Sequence, residues 1–336
     1  MSPIQKRQAS TLACHYLIAL TGILVVPLIV AAQGSQSTQI GSGEGYTLRL
    51  NANMVVLSAT VLDRHNASVS GLVERDFQIY ENGKLQQIRH FNHDDLPVTA
   101  GILVDNSGSM GPKRDDVISA ALTFARFSNP LDQMFVVNFN DRVSFGLPPG
   151  MLFTDRRDEL QLALSTTKTI GQTALYDGVI AALDHLNLGT RDKKVLVLIS
   201  DGGDNASKHT LAQVLDIAKQ TTATIYAIGI FDDQDGDQNP GVLKRLARET
   251  GGEAFFPESS KEVALICEGI AGDIRSQYTL AYVPAIAEQD GRYRSIEIRA
   301  NSLGRGRLSV RTRTGYSVPL KTPADAAKAI VHDSKH

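Results

Sequence analysis

The sequence predicts an α/β protein: a doubly wound, mostly parallel sheet with an accessory β-sandwich-like region contributed by flanking N- and C-terminal strands. Three observations carry that expectation. Between residues 97 and 276, short apolar runs alternate with segments of helical periodicity, the pattern of successive strand–helix units. Two of these runs, 195–199 and 224–228, are almost continuously apolar, as strands are when helices cover both faces of a sheet. On either side the texture changes to short β-type runs separated by turn residues, which is how antiparallel strands read.

The 336 residues are 42% hydrophobic and 21% charged, enough for one or two globular domains with a sizeable core. A formal net charge of −2, with no Lys/Arg-rich run carrying interleaved aromatics, excludes a nucleic-acid footprint. Residues 1–34 read as a signal peptide: Lys6 and Arg7 form the positive end, 16–30 is almost wholly apolar, and Ala31-Ala32-Gln33-Gly34 offers small residues for cleavage. A retained membrane anchor is the alternative, since the apolar stretch approaches the roughly 20 residues that span a bilayer. The expected location is accordingly secreted, periplasmic or envelope-associated. Cys14 lies in this segment and only Cys267 would remain after cleavage, so no internal disulfide is expected.

A Gly/Ser/Gln-rich linker leads into an N-terminal β region at 46–96, with strands expected at 47–51, 54–62 and 77–81. Asn82-Gly83 predicts a hairpin joining 77–80 to 85–88, because both turn positions need residues that tolerate positive φ. His90, His93, Asp94 and Asp95 match no common zinc spacing and read as a polar junction. The α/β domain at 97–276 is expected to hold strands at 98–104, 135–139, 195–200, 224–230 and 254–256. Its helices are expected at 112–127, 155–165, 174–186, 210–219, 242–250 and 261–274. Strands at 278–283, 293–299 and 308–312, within 277–318, are expected to pair with the N-terminal ones; 319–336 is a tail.

Ligands of an open α/β sheet bind outside the carboxyl ends of its strands. The first strand of the α/β domain ends in Asp105-Asn106-Ser107-Gly108-Ser109-Met110. Oxygen-bearing side chains at alternate positions can point one way from a single turn, and one carboxylate with two hydroxyls suits Mg²⁺ or Mn²⁺ rather than zinc. Thr173, just before a helix, and Asp201, straight after an interior strand, fall on the same rim. Taken alone, the Asp-Ser-Ser turn also reads as a helix cap; Thr173 and Asp201 in register argue for the cation.

The string from Leu103 to Met110, followed by Thr173 and by Leu198-Ile199-Ser200-Asp201-Gly202, resembles the metal-ion-dependent adhesion site of von Willebrand factor type A domains. The resemblance covers about 97–276 and implies a Rossmann-like fold in which Asp105, Ser107, Ser109, Thr173 and Asp201 bind the metal, some through water. It further implies a protein partner whose Asp or Glu completes the coordination. The flanking strands are similar to those of bacterial exported proteins with this domain.

The acidic loop from Asp233 to Asn239 alternates oxygens around Gly236 as a calcium loop does, but lacks the order and terminal Glu of an EF-hand; a solvated loop is the plainer reading and Ca²⁺ the alternative. An enzyme is not expected. A dehalogenase-type phosphatase needs a second Asp where Ser107 stands, and the phosphate loop and the nucleophile elbow are both missing. The expected function is therefore an exported, metal-dependent binding or adhesion module. A structural envelope protein or assembly scaffold is the alternative, and a metal-dependent hydrolase stands behind both.

Overall fold

The computed structural model describes residues 54–231, 236–284 and 291–318. The signal peptide at 1–34, the strand expected at 47–51 and the tail at 319–336 lie outside the described residues. The chain opens with β1 (Val55–Leu62), β2 (Phe77–Glu81), β3 (Lys84–Gln86) and β4 (Ile88–Asn92). The α/β part follows as β5 (Thr99–Asp105), α1 (Arg114–Phe127), β6 (Gln133–Phe139), β7 (Val143–Phe145), α2 (Arg157–Ser165) and α3 (Leu175–Leu186). It continues as β8 (Lys194–Ser200), α4 (Leu211–Gln220), β9 (Thr224–Gly229), α5 (Pro240–Thr250), β10 (Ala254–Phe255) and α6 (Ser260–Ser276). The chain then returns to strands as β11 (Tyr278–Tyr282), β12 (Tyr293–Ala300), β13 (Ser309–Arg311) and β14 (Gly315–Ser317).

The central sheet has the order β10-β9-β8-β5-β6-β7, parallel except for the edge strand β7. Strands β5 and β9 are buried along their whole length and β8 at all but Lys194, which is why their sequences show no polar alternation. The chain moves one way along the sheet from β5 to β6 and the other way from β6 to β8, β9 and β10, so crossovers of the usual right hand deliver helices to both faces. Since β5 pairs with β6 on one side and β8 on the other, the chain order reverses at its carboxyl end. That crevice is where such folds hold ligands.

The terminal strands form two four-stranded antiparallel sheets, β13-β1-β11-β4 and β14-β12-β2-β3. Leu57, Ala59 and Val61 of β1 and Tyr278, Leu280 and Tyr282 of β11 share one apolar core with Phe77 and Ile79 of β2 and Ile296 and Ile298 of β12. A buried polar tie crosses it: Glu81 accepts from the hydroxyls of Tyr282 and of Tyr316, the latter at 2.8 Å. Arg313, after β13, donates to the carbonyls of Thr221 (2.7 Å) and Lys219 (2.8 Å) and so satisfies the C-terminal end of α4.

The hairpin forms where expected, with Asn82 at φ 48° and Gly83 at φ 75°. Its second strand is shorter than the periodicity suggested. β3 stops at Gln86, and Ile88 begins β4 in the opposite sheet, where it packs against the shared core. The junction residues are likewise drawn into the fold: His90 pairs with Ala281 in β4–β11 and the His93 ring stacks on Tyr278 at 4.0 Å. Helix α1 starts at Arg114 rather than at 112, because Gly108–Lys113 forms a 3-10 turn containing Pro112. A Cβ on Gly83 would meet nothing within 4 Å, so Gly83→Ala should cost only the left-handed backbone penalty, about 1–2 kcal/mol, read as a shift in the urea midpoint at constant slope.

Candidate metal centre

β5 ends at Asp105 and its neighbour β8 at Ser200, so the turns after them share one rim. Asp105 Oδ1 accepts the Ser107 N–H at 2.9 Å, and its Oδ2 accepts the Ser200 hydroxyl at 2.6 Å. Asp201 Oδ2 accepts the Ser109 hydroxyl at 2.7 Å, while its Oδ1 accepts the Gly203 N–H at 3.0 Å. Ser107 Oγ and Ser109 Oγ lie 3.1 Å apart. Ser107 sits at the N-cap of the 3-10 turn, yet its side chain makes no capping hydrogen bond. Its hydroxyl faces the other oxygens instead, which weakens the helix-cap reading.

Thr173 reaches this rim through its loop. Gly108 N–H donates to the Gly171 carbonyl at 3.0 Å, and the Thr173 carbonyl accepts from Asn205 and Ala206 N–H groups, each at 3.0 Å. The Thr173 N–H in turn donates to Asn205 Oδ1 at 2.9 Å. Backbone bonds therefore tie the loop before α3 to both the Asp105 turn and the Asp201 turn. Gly171 (φ 87°) and Gly202 (φ 82°) supply the left-handed positions these loops need.

Asp105 is 1% and Asp201 2% exposed. Burial pushes the Asp105 carboxyl up to about 6; hydrogen bonds from Ser107 and Ser200 oppose that, and the Asp201 charge adds to it. Among the described residues neither carboxylate forms an ion pair with Lys or Arg. Nor does any group of three His, Cys, Asp or Glu gather among them. The donor set on the rim is thus two carboxylates with hydroxyls, hard oxygens that fit a small divalent cation.

Two participants were not singled out by sequence. Ser200, one residue before Asp201, bridges Asp105 Oδ2 to the Gly202 N–H, which it accepts at 3.0 Å. Asn106, between two of the candidate ligands, is completely buried and points away from them into the interior. Both stand inside the strings that resemble the adhesion site, next to an expected ligand, but neither was marked there for a role of its own. Of the acidic run, 232–235 lie outside the described residues. Asn239, at its end, accepts the Val242 N–H as the cap of α5 and donates its own N–H to the Asp201 carbonyl at 3.0 Å.

A family model of the von Willebrand factor type A domain matches residues 101–268, half of the chain. The chain belongs to the von Willebrand factor type A domain family. Among solved structures it is similar to a von Willebrand factor type A protein from Catenulispora acidiphila, at 13% identity and a TM-score of 0.49, covering 82% of this chain and 76% of the other. It is also similar to the conserved hypothetical protein BatB from Bacteroides thetaiotaomicron, at 14% identity and a TM-score of 0.43, covering 53% of this chain and 100% of that one. The von Willebrand factor domain of the type V pili tip protein Mfa5 from Porphyromonas gingivalis matches at 15% identity and a TM-score of 0.43, covering 54% and 95%. No curated protein matches the chain. Domains of this family typically mediate protein–protein interactions. Among the described residues no helix is long and apolar enough to cross a membrane.

Proposed function

We propose that this von Willebrand factor type A domain is an exported binding module that holds Mg²⁺ or Mn²⁺ on Asp105, Ser107, Ser109, Thr173 and Asp201. The cation presents an open position to an Asp or Glu of a protein partner. The observation that carries this reading is the pair of buried carboxylates on one rim, Asp105 held by Ser200 and Asp201 by Ser109, with no ion pair to Lys or Arg among the described residues. Two uncompensated carboxylates in a buried crevice are costly, and a divalent cation removes that cost. Two negative charges and neutral hydroxyls leave such an ion still attractive to an anionic ligand, which favours capture of a partner's carboxylate. Binding is favoured over chemistry on a substrate: the hydroxyls of Ser109 and Ser200 rest on carboxylates, but neither carboxylate is in turn oriented by a third titratable side chain as in a catalytic triad.

Calorimetric titration of residues 33–336 with MgCl₂ and MnCl₂ tests this. One ion per chain is expected, lost in both Asp105→Ala and Asp201→Ala. Pull-downs from envelope extracts should then recover a partner with Mg²⁺ present and lose it in EDTA. A chain that binds no ion, or variants that bind as the natural protein does, would sink the reading.

A further inference from the structure

Asn106 lies between two of the proposed metal ligands, and every polar group it carries is engaged. Its N–H donates to the Phe139 carbonyl at 2.7 Å and its carbonyl accepts the Ile170 N–H at 2.9 Å. Its Nδ2 donates to the Val104 carbonyl at 3.2 Å and to Asn138 Oδ1 at 3.0 Å. Its Oδ1 accepts from Arg114 Nη1. Arg114 Nη2 and Asn138 Nδ2 then reach the carbonyls of Leu164 (2.5 Å) and Ala163 (3.1 Å) near the C-terminal end of α2. Asn138 is the one polar residue in the buried run of β6 from Met134 to Phe139. Gly146 leaves the room for it, since a Cβ there would stand 3.0 Å from Asn138 Nδ2 and 2.8 Å from the Ala163 carbonyl.

Metal donors at alternate positions of one turn can converge only if the intervening residue points the other way. Asn106 is that residue. Its backbone is held on both sides and its carboxamide is clamped by two side chains, so the backbone between Asp105 and Ser107 is tethered to β6, to the loop at Ile170 and to α1. Groups behind a metal's own ligands tune affinity through this kind of orientation.

We propose that Arg114 and Asn138, acting through Asn106, are positioning residues for the cation site, anchoring the Asp105–Ser109 turn to the end of α2. The proposal rests on the metal-binding reading above and adds residues that touch no metal. The test is Mg²⁺ titration, with the Mn²⁺ electron paramagnetic resonance line shape as a second readout, on the natural protein, Arg114→Met, Arg114→Lys and Asn138→Leu. Val179→Ala, which trims a buried side chain of α3, serves as a stability control. Arg114→Met is expected to weaken Mg²⁺ binding about tenfold or more and to alter the Mn²⁺ line shape. Arg114→Lys, which keeps a single donor nitrogen in place of the two that reach Asn106 and Leu164, should recover part of the loss. Val179→Ala should lower the melting temperature and leave the affinity alone. Natural affinity in Arg114→Met and Asn138→Leu, with one ion still bound by the natural protein, overturns the positioning role and leaves the metal site standing. An equal loss of affinity in Val179→Ala also overturns it. Absence of an ion from the natural protein overturns both.

Discussion

In EDTA at pH 8, Asp105→Asn is expected to be more stable than the natural protein by about 3 kcal/mol, although it removes a proposed metal ligand. Burial holds the Asp105 carboxyl at about 6 in the folded chain, against about 4 in an unfolded one. Between those values the native state keeps a proton that the unfolded state has released, so stability falls as pH rises through the window from about 4 to 6 and is flat above it. Two pKa units correspond to about 3 kcal/mol. The neutral amide removes that slope. Urea denaturation of both proteins from pH 4 to 8 gives the difference profile, which is the relevant quantity because burial also pushes Asp132 up to about 6. Saturating Mg²⁺ should reverse the ranking by stabilising only the natural protein. Below pH 6 its Mg²⁺ affinity should drop about tenfold per unit as protons compete for Asp105. An Asp105→Asn protein that is less stable in EDTA at every pH would show that the carboxylate already has a compensating partner.

Gly202→Ala should be the most damaging single-methyl change on the rim, lowering stability by about 3 kcal/mol and Mg²⁺ affinity along with it. The residue sits at φ 82°, and a Cβ would stand 2.4 Å from the Asn239 carbonyl and 3.0 Å from the Leu243 side chain. The left-handed penalty is about 1–2 kcal/mol, and forcing extra volume against packed backbone adds about as much again. The Gly202 N–H donates to Ser200 Oγ, which holds Asp105, and the neighbouring Asp201 carbonyl accepts from Asn239. Displacing Gly202 therefore moves both carboxylates. Gly83→Ala, equally left-handed but unobstructed, is the matched control. Equal losses in the two variants would mean that the contact with Asn239 relaxes freely.

Much of this was legible in advance because it depends on local pattern. Alternating strand and helix periodicity reports burial of each segment's own face, so the order β5 to α6 follows from residues close together in the chain. Asp105, Ser107 and Ser109 are marked by their spacing within one turn. Asn82-Gly83 announces its hairpin because positive φ restricts residue choice at the position itself. The short strands β7 and β14 carried no such mark: three residues are too few to show a period, and only their partners make them strands.

What the tertiary structure alone decided are the contacts between distant segments. Ser200 holds Asp105 across 95 residues of chain and Ser109 meets Asp201 across 92. These pairings follow from the parallel register of β5 on β8, and no short-range periodicity encodes a register between strands so far apart. The change of sheet between β3 and β4 and the clamp of Arg114 and Asn138 on Asn106 arise in the same way. Each depends on which surfaces face one another once the core closes, and a polar residue such as Asn138 reveals its partner only when burial forces it to find one. The sequence by itself determined the fold class and the chemistry offered at the strand ends; the packed chain decided which of those oxygens meet and what holds them there.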